Sequence, residues 1–352
     1  MNADPAGSVF SIMTTLLVVG DVHIKLDNLL EIRCLIEKLE RTIQVHRPDF
    51  IVLLGDVLHT HERVHTNCLN QAAELFRMAS SLRPTFVLVG NHDFISNSQF
   101  LTEHHWMNPF KQWPGLTIVD RVIGHEHAGN RFVLSPYVPD GRFGEALATL
   151  DGATAKDAHL ILAHQTLDGA KMGAMIASGV EVWPPEWPFL CSGHIHDRQR
   201  VQSNLYYAGT PMPHAFGERN DKTVSLFTLR DGTIERHTEI NLEVCSKRIE
   251  YLSLQEAKRF VFEPRPHHLL RLTIKATGEE ARAFKRSEKY RELVSAGVKV
   301  VLDDSERAAP VARDRKSFEE WLWESVRSEP EVARWYRHFT GSSPADPVIL
   351  LE

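Results

Sequence analysis

The chain has 352 residues, 43% of them hydrophobic, and a formal net charge of −6. Single hydrophobic cores stop growing near ~250–300 residues, so a large domain and a smaller one are expected. Every apolar run is shorter than the ~18 residues of a membrane span, and the opening MNADPAGSVFSIM lacks the basic-then-apolar order of a secretion signal. No membrane is therefore implied, and the expected compartment is the cytoplasm, at the nucleoid or a replication site, or the nucleus in a eukaryotic host.

Residues 1–13 read as a flexible leader, with Met13 as a second candidate start. A first domain is expected over 14–246. In it TLLVVGD, DFIVLLGD, TFVLVGN and HLILAHQ are short β-branched and leucine runs, the kind buried on both faces of a sheet. Between the first two, Leu29, Ile32, Ile36, Leu39 and Ile43 recur at helical spacing; between the next two, Leu69, Ala72, Ala73, Phe76 and Ala79 do the same. Strand alternating with helix predicts an open α/β sheet. NLYYAG, TVSLFTL and TIERHTEI, with Asp231-Gly232 as a turn, read as antiparallel strands that finish the domain. Cys34, Cys68, Cys191 and Cys245 form no CxxC pair and read as packing residues.

A second, small α+β domain is expected over 247–305, where HHLLRLTIKAT, GEEARAFKRSEKYRELVSAG and VKVVLDD read as strand, helix, strand. Arg282, Lys285, Arg286 and Lys289 fall at i, i+3, i+4 and i+7 of the helix, with Phe284, Leu293 and Val294 facing inward. Such a stripe is either a solvated face or a contact for a phosphate backbone. Charge divides in the same way: residues 1–246 carry −8, 247–300 carry +6 and 301–352 carry −4. A C-terminal helical segment over 306–352 shows two amphipathic patterns, Phe318, Trp321, Leu322, Val326 and then Val332, Trp335, Tyr336, Phe339, split by Pro330.

Polar residues cluster where the buried runs end. Asp21 and His23 follow the first, Asp56 and His59 the second, Asn91, His92 and Asp93 the third, His164 the fourth, and His194 with His196 follow FLCSG. Ligands of open α/β sheets bind at the carboxyl ends of strands, so these five segments are expected to meet in one crevice. Asp and Asn oxygens mixed with His nitrogens, without thiolate, suit Mn, Fe, Zn or Co. Seven such groups, Asp21, His23, Asp56, Asn91, His164, His194 and His196, exceed one open shell, so two ions are expected, a pair suited to clamping a phosphate during in-line attack.

The blocks GDVH, GDVLH, GNHD, AHQ and GHIH, in this order over 15–197, resemble the calcineurin-like metallophosphoesterases. The resemblance implies a four-layer α/β/β/α sandwich. It also implies that Asp21, His23, Asp56 and His196 hold one metal and Asp56, Asn91, His164 and His194 the other. By it His92 is a general acid or phosphate-orienting group steadied by Asp93. Ile24, GDVLHTH and GNHD depart from the pattern of the phosphoprotein phosphatases. The following stretch, YYAGTPMPHAFGERNDKTVSLFTL, is similar to the SbcD and Mre-type DNA repair nucleases. There His59 resembles a histidine that presents the DNA phosphodiester; its other reading is a supporting or helix-capping residue.

That branch implies a two-metal DNA exonuclease or endonuclease, with Mn first among Mn, Mg, Fe, Zn and Co. It implies a capping domain that seats DNA, C-terminal helices that dock on an SMC-like ATPase, and a homodimer, for which LFRMASSL or the segment near Trp106 and Met107 supplies apolar contact. A phosphoesterase for small phosphodiesters or phosphomonoesters is the enzyme alternative. A metal-free scaffold protein is the non-enzyme one.

Overall fold

The computed structural model describes residues 13–61, 63–303, 323, 328–329 and 332–336. Among them the chain divides into a larger unit, which runs to Glu250 and takes in Val261–Leu272 and Leu293–Lys299, and a smaller one of Tyr251–Phe260, Thr273–Glu292 and the residues from Val300 onward.

The larger unit begins β1 (Thr14–Val19), α1 (Leu29–His46), β2 (Phe50–Leu53), α2 (Thr66–Leu82), β3 (Thr85–Leu88) and β4 (Leu116–Val119). It continues β5 (Ile123–His127), β6 (Asn130–Leu134), α3 (Phe143–Leu147), β7 (Leu160–His164), the short pair β8 (Lys171–Met172) and β9 (Met175–Ile176), and β10 (Phe189–Gly193). It ends with β11 (Gln199–Gln202), β12 (Leu205–Tyr207), β13 (Val224–Arg230) and β14 (Thr233–Ile240). Two six-stranded sheets result, in the orders β14-β13-β1-β2-β3-β4 and β11-β12-β10-β7-β6-β5.

Alternation along the strands explains the layering. Leu16 and Val18 of β1, Phe50 and Val52 of β2, and Leu160 and Leu162 of β7 join one buried cluster with residues of both sheets, so they fill the space between them. Their neighbours Leu17, Val19, Ile51 and Leu53 turn the other way and pack on Ile32, Leu35, Ile36 and Leu39 of α1 and Leu75 and Phe76 of α2. On the far side, Ile161, Ala163 and Leu190 pack on α3 and the loops around Trp183. Each fully buried Leu or Ile of this kind contributes about 1.5–3 kcal/mol. The four-layer α/β/β/α sandwich is therefore the architecture, its last layer thin and mostly loop.

The two sheets are those the resemblance implies, and they refine the open sheet read from strand-helix alternation: β7 and β10 belong to the second sheet, each pairing in parallel with the other. The polar-patterned β5 and the strands β4 and β6 were not anticipated. The turn at Asp231-Gly232 is present, with both residues at positive φ (47° and 79°), as a tight right-twisted hairpin requires. All four cysteines are buried and free, consistent with packing. In the apolar segments offered for dimer contact, Leu75, Phe76 and Met107 are fully buried in the core, and the Trp106 ring stacks on Phe76 at 5.8 Å.

Beyond β14 come β15 (Ser246–Ser253), α4 (Leu254–Arg259), β16 (His268–Lys275), α5 (Gly278–Lys285), α6 (Glu288–Ser295) and β17 (Lys299–Asp303), with a three-stranded sheet in the order β15-β16-β17. The one helix expected over the basic stripe is two. Ser287 divides them: its hydroxyl donates to the Phe284 carbonyl (2.7 Å) and accepts the Tyr290 N–H (3.2 Å), ending one helix and capping the next. Arg282, Lys285 and Arg286 are exposed, whereas Lys289 is half-buried and paired with Glu292 at 2.8 Å, so the continuous i to i+7 stripe is broken. Phe284 and Leu293 face inward as expected; Val294 does not, being 47% exposed.

Of the C-terminal patterns, Phe318, Trp321, Leu322, Val326, Pro330 and Phe339 lie outside the described residues. Val332–Tyr336 is helical, with Val332 and Trp335 exposed and the Tyr336 ring 5.4 Å from Trp323. Among the described residues no helix is long and apolar enough to cross a membrane.

Candidate metal centre

The loops that follow β1 and β2 continue the parallel pairing of their strands: His23 N–H donates to the Asp56 carbonyl (2.9 Å) and Ile24 N–H to that of Val57 (2.8 Å). His23, Asp56 and His194 all have positive φ, at 46°, 48° and 77°. A left-handed non-glycine residue costs about 1–3 kcal/mol, and three such residues in one place mark a site whose geometry is imposed by its surroundings. The glycines of the GD, GN and GH blocks make room for it. A Cβ on Gly90 would collide with the Asp56 carboxylate and amide, and one on Gly193 would stand 2.6 Å from Asp21 Oδ1.

The seven residues singled out in the sequence meet in two clusters. In one, His23 Nε2 is 3.0 Å from His196 Nε2, which is 3.9 Å from Asp21 Oδ2. In the other, Asn91 Oδ1 is 2.8 Å from His194 Nδ1 and 3.1 Å from His164 Nε2, and that nitrogen is 3.4 Å from Asp56 Oδ1. The second oxygen of Asp56, Oδ2, lies 3.4 Å from His23 Nε2, so Asp56 faces both clusters.

Asp21, His23, Asp56, Asn91 and His164 are all buried. Burial pushes the Asp21 carboxyl up to about 7. His194 is pushed down to about 3 by burial and then by its neighbour His164. Burial works against a charged His164 as well, but the facing carboxylates Asp56 and Asp21 outweigh it and raise that ring to about 9. Burial disfavours the Asp56 charge too, yet the His164 and His23 rings hold its carboxyl well below the usual range. The pocket thus demands positive charge between its carboxylates.

Divalent cations suit this donor set. Asp21 Oδ2 is buried without a hydrogen-bond partner, and in each of the triads Asp21, His23, His196 and Asp56, His164, His194 the ligand atoms all lie within 4.8 Å of one another. Uncharged imidazole nitrogens and ionised carboxylates are what such ions bind. On this fit, Asp21, His23 and His196 would hold one ion, Asn91, His164 and His194 the other, and Asp56 would serve both.

His92 sits at the rim. Its N–H at Nδ1 donates to the His59 carbonyl (2.7 Å), and the ring lines a cleft of about 370 Å³ together with Asp56, His194 and His196. The Asp93 carboxylate makes its hydrogen bonds elsewhere than to the His92 ring. That carboxylate, 1% exposed, instead accepts N–H bonds from Gly90 (3.0 Å), Val57 (3.3 Å), Leu58 (3.3 Å) and the Trp106 indole (2.9 Å). It therefore ties the loop after β3 to the loop carrying Asp56. His59 stacks on His92 with centroids 5.4 Å apart and places Nδ1 3.3 Å from His23 Nδ1, so it supports a member of the first cluster. Arg282, Lys285, Arg286 and Lys289 belong to the smaller unit.

One residue escaped the sequence reading. His214 is buried, its Nε2–H donates to the Asp21 carbonyl (3.0 Å), and its ring is 5.3 Å from His23 and 5.7 Å from His196. Two buried lysines support this side: Lys222 donates to the His196 carbonyl (3.0 Å) and Lys247 to that of His214 (2.9 Å). A lone histidine between Pro213 and Ala215 has no spacing to single it out; only the unusual density of turn residues in TPMPHAFGE hinted at a loop folded back on the site.

Two carboxylate-imidazole clusters joined by one aspartate, at the carboxyl ends of strands in a two-sheet sandwich, define a metal-dependent hydrolase of phosphoesters. Residues 14–198 match the family of calcineurin-like phosphoesterases, and the chain belongs to that family. It is 39% identical over 289 residues to the protein named "Putative phosphoesterase 078R" of Invertebrate iridescent virus 3, covering 81% of this chain and 83% of that one. To "Putative phosphoesterase 244L" of Invertebrate iridescent virus 6 it is 36% identical over 281 residues, covering 78% of this chain and 98% of that one. Among solved structures it aligns with the phosphoesterase YfcE of E. coli at 12% identity and a TM-score of 0.31, over 65% of this chain and 100% of that one.

Proposed function

We propose that this metallophosphoesterase is a DNA nuclease of the SbcD type, hydrolysing phosphodiester bonds with two divalent ions, Mn first among Mn, Mg, Fe, Zn and Co. The observation that carries the reading is the joining of two donor clusters by Asp56, whose two oxygens face a histidine of each. When bound, the ions neutralise phosphate charge and activate water for in-line attack. The chain's own part follows from His92: with Nδ1–H committed to the His59 carbonyl, Nε2 is the nitrogen left to face the phosphate, and in the imidazolium form it gives its proton to the leaving oxygen and returns to the neutral Nδ1–H ring. DNA is supported by the resemblance of the segment through His214 and by the exposed Arg282, Lys285 and Arg286. The same proposal includes an SMC-like ATPase partner on the C-terminal segment.

The second reading, a phosphoesterase for small phosphodiesters or phosphomonoesters, is favoured by the cleft itself, since about 370 Å³ suits a small ligand. Cleavage of end-labelled linear duplex with Mn, beside a small aryl phosphodiester, separates the two. Shortened DNA with the parent, and a loss of about 100-fold or more in His92→Ala, is the expected result. Hydrolysis of the aryl ester alone sinks the DNA assignment and keeps the second reading.

A further inference from the structure

Beside the metal cleft is a second cavity of about 220 Å³, whose lining includes Lys171, Arg198, Arg219 and Lys222 against Asp197 and Asp221. Lys171, Gly173 and Asp197 line both spaces, so the two adjoin. Gly173 turns at φ 61°, and a Cβ there would meet nothing within 4 Å.

The cations around the second cavity differ in their commitments. Arg198 pairs with Glu239 (3.2 Å) and Asp221 (3.6 Å), Arg219 forks onto Asp221, and Lys222 pairs with Glu218 (3.1 Å). Lys171 forms no ion pair among the described residues and is exposed. Its backbone is nonetheless fixed: the Gln199 side-chain amide accepts the Lys171 N–H and donates to the Lys171 carbonyl, both at 2.8 Å, as a neighbouring strand would. An uncommitted ammonium on a fixed backbone, between two cavities, is a place for an anion.

We infer that this cavity is a second phosphate site, with Lys171 as its central contact, and that it takes the phosphodiester next to the scissile one in a nucleic-acid strand. The inference rests on the nucleic-acid reading above. The two-phosphate substrate is what the adjoining cavities select: one phosphate among the Asp56, His194 and His196 groups, its neighbour on Lys171.

The Mn-loaded full chain is given a thymidine trinucleotide and its two analogues in which one linkage is a neutral methylphosphonate. Cleavage of the remaining phosphodiester is followed, with bis(p-nitrophenyl) phosphate in parallel. In the parent, neutralising the flanking linkage on one side lowers kcat/KM about tenfold through KM, the factor expected for one charge-assisted contact. In Lys171→Gln this ratio falls to about one, and Lys171→Arg restores it. Equal rates on the trinucleotide and both analogues with the parent, or an undiminished ratio in Lys171→Gln, overturns the subsite. Loss of all hydrolysis in both Lys171 variants also overturns it, by making the residue structural. A parent that cuts the aryl ester and no trinucleotide overturns the nucleic-acid reading, and the subsite with it.

Discussion

Replacing Asp93 by Asn is expected to weaken the fold before it weakens chemistry. Both oxygens of Asp93 accept bonds from two N–H groups each: Gly90 and Val57 on Oδ2, Leu58 and the Trp106 indole on Oδ1. An asparagine offers one oxygen and one NH2, so in either orientation two buried donors face a donor. Each such donor costs about 1–3 kcal/mol, which gives about 2–6 kcal/mol for Asp93→Asn. Set against a typical total of about 5–15 kcal/mol, this is a large share. Trp106→Phe removes one donor and leaves the carboxylate intact, so it should cost less. Urea unfolding in the presence of a chelator measures both without interference from bound ions. Had Asp93 served to steady the His92 ring, the Asn variant would lose turnover and keep its stability. An unfolding midpoint equal to the parent's would refute the reasoning.

Two further perturbations follow from the same contacts. His214→Ala removes the donor to the Asp21 carbonyl; loss of such a supporting group typically weakens metal affinity about 10–100-fold, so a Mn titration indistinguishable from the parent's would show that His214 is not needed there. Burial alone would raise the Asp120 carboxyl, but the His105 ring (3.2 Å) and the Lys111 ammonium (2.5 Å) hold it below its ordinary value. Its folded pKa therefore lies under the unfolded one of about 4, so its stabilisation is present above that pH and is lost as pH falls through the folded value. Thermal melts across the acid range should show a shallower decline for Asp120→Asn than for the parent, and parallel curves would contradict this.

The sandwich and the site were legible in the sequence to different depths and for different reasons. Strands buried on both faces, β1, β2, β3, β7 and β10, announce themselves as unbroken apolar runs, and polar groups at their ends stand out against them. The division into two sheets was legible only through the resemblance of the five motif blocks and not through periodicity, because a buried parallel strand reads the same whichever sheet it joins; β7 pairs with β6, whose alternating NRFVL is a weak signal. The basic helix was misread because Ser287 within an otherwise helical pattern caps rather than interrupts, and only its hydrogen bonds reveal which. Asp93 was given to His92 by the resemblance, and its bonds to Gly90, Val57, Leu58 and Trp106 are contacts that the motif GNHD does not encode. His214 joins the site from 193 residues beyond Asp21, a contact that no local pattern encodes.

The central claim, that Asp56 joins two ion-binding clusters, is tested most directly by counting metal. The full chain is stripped with chelator, reloaded with Mn, desalted and analysed by plasma mass spectrometry. The account predicts about two ions per chain in the parent, about one in His194→Ala and in His196→Ala, and fewer than one in Asp56→Ala, which lacks the shared carboxylate. One ion or none in the parent, or a parent-like content in all three variants, would contradict it.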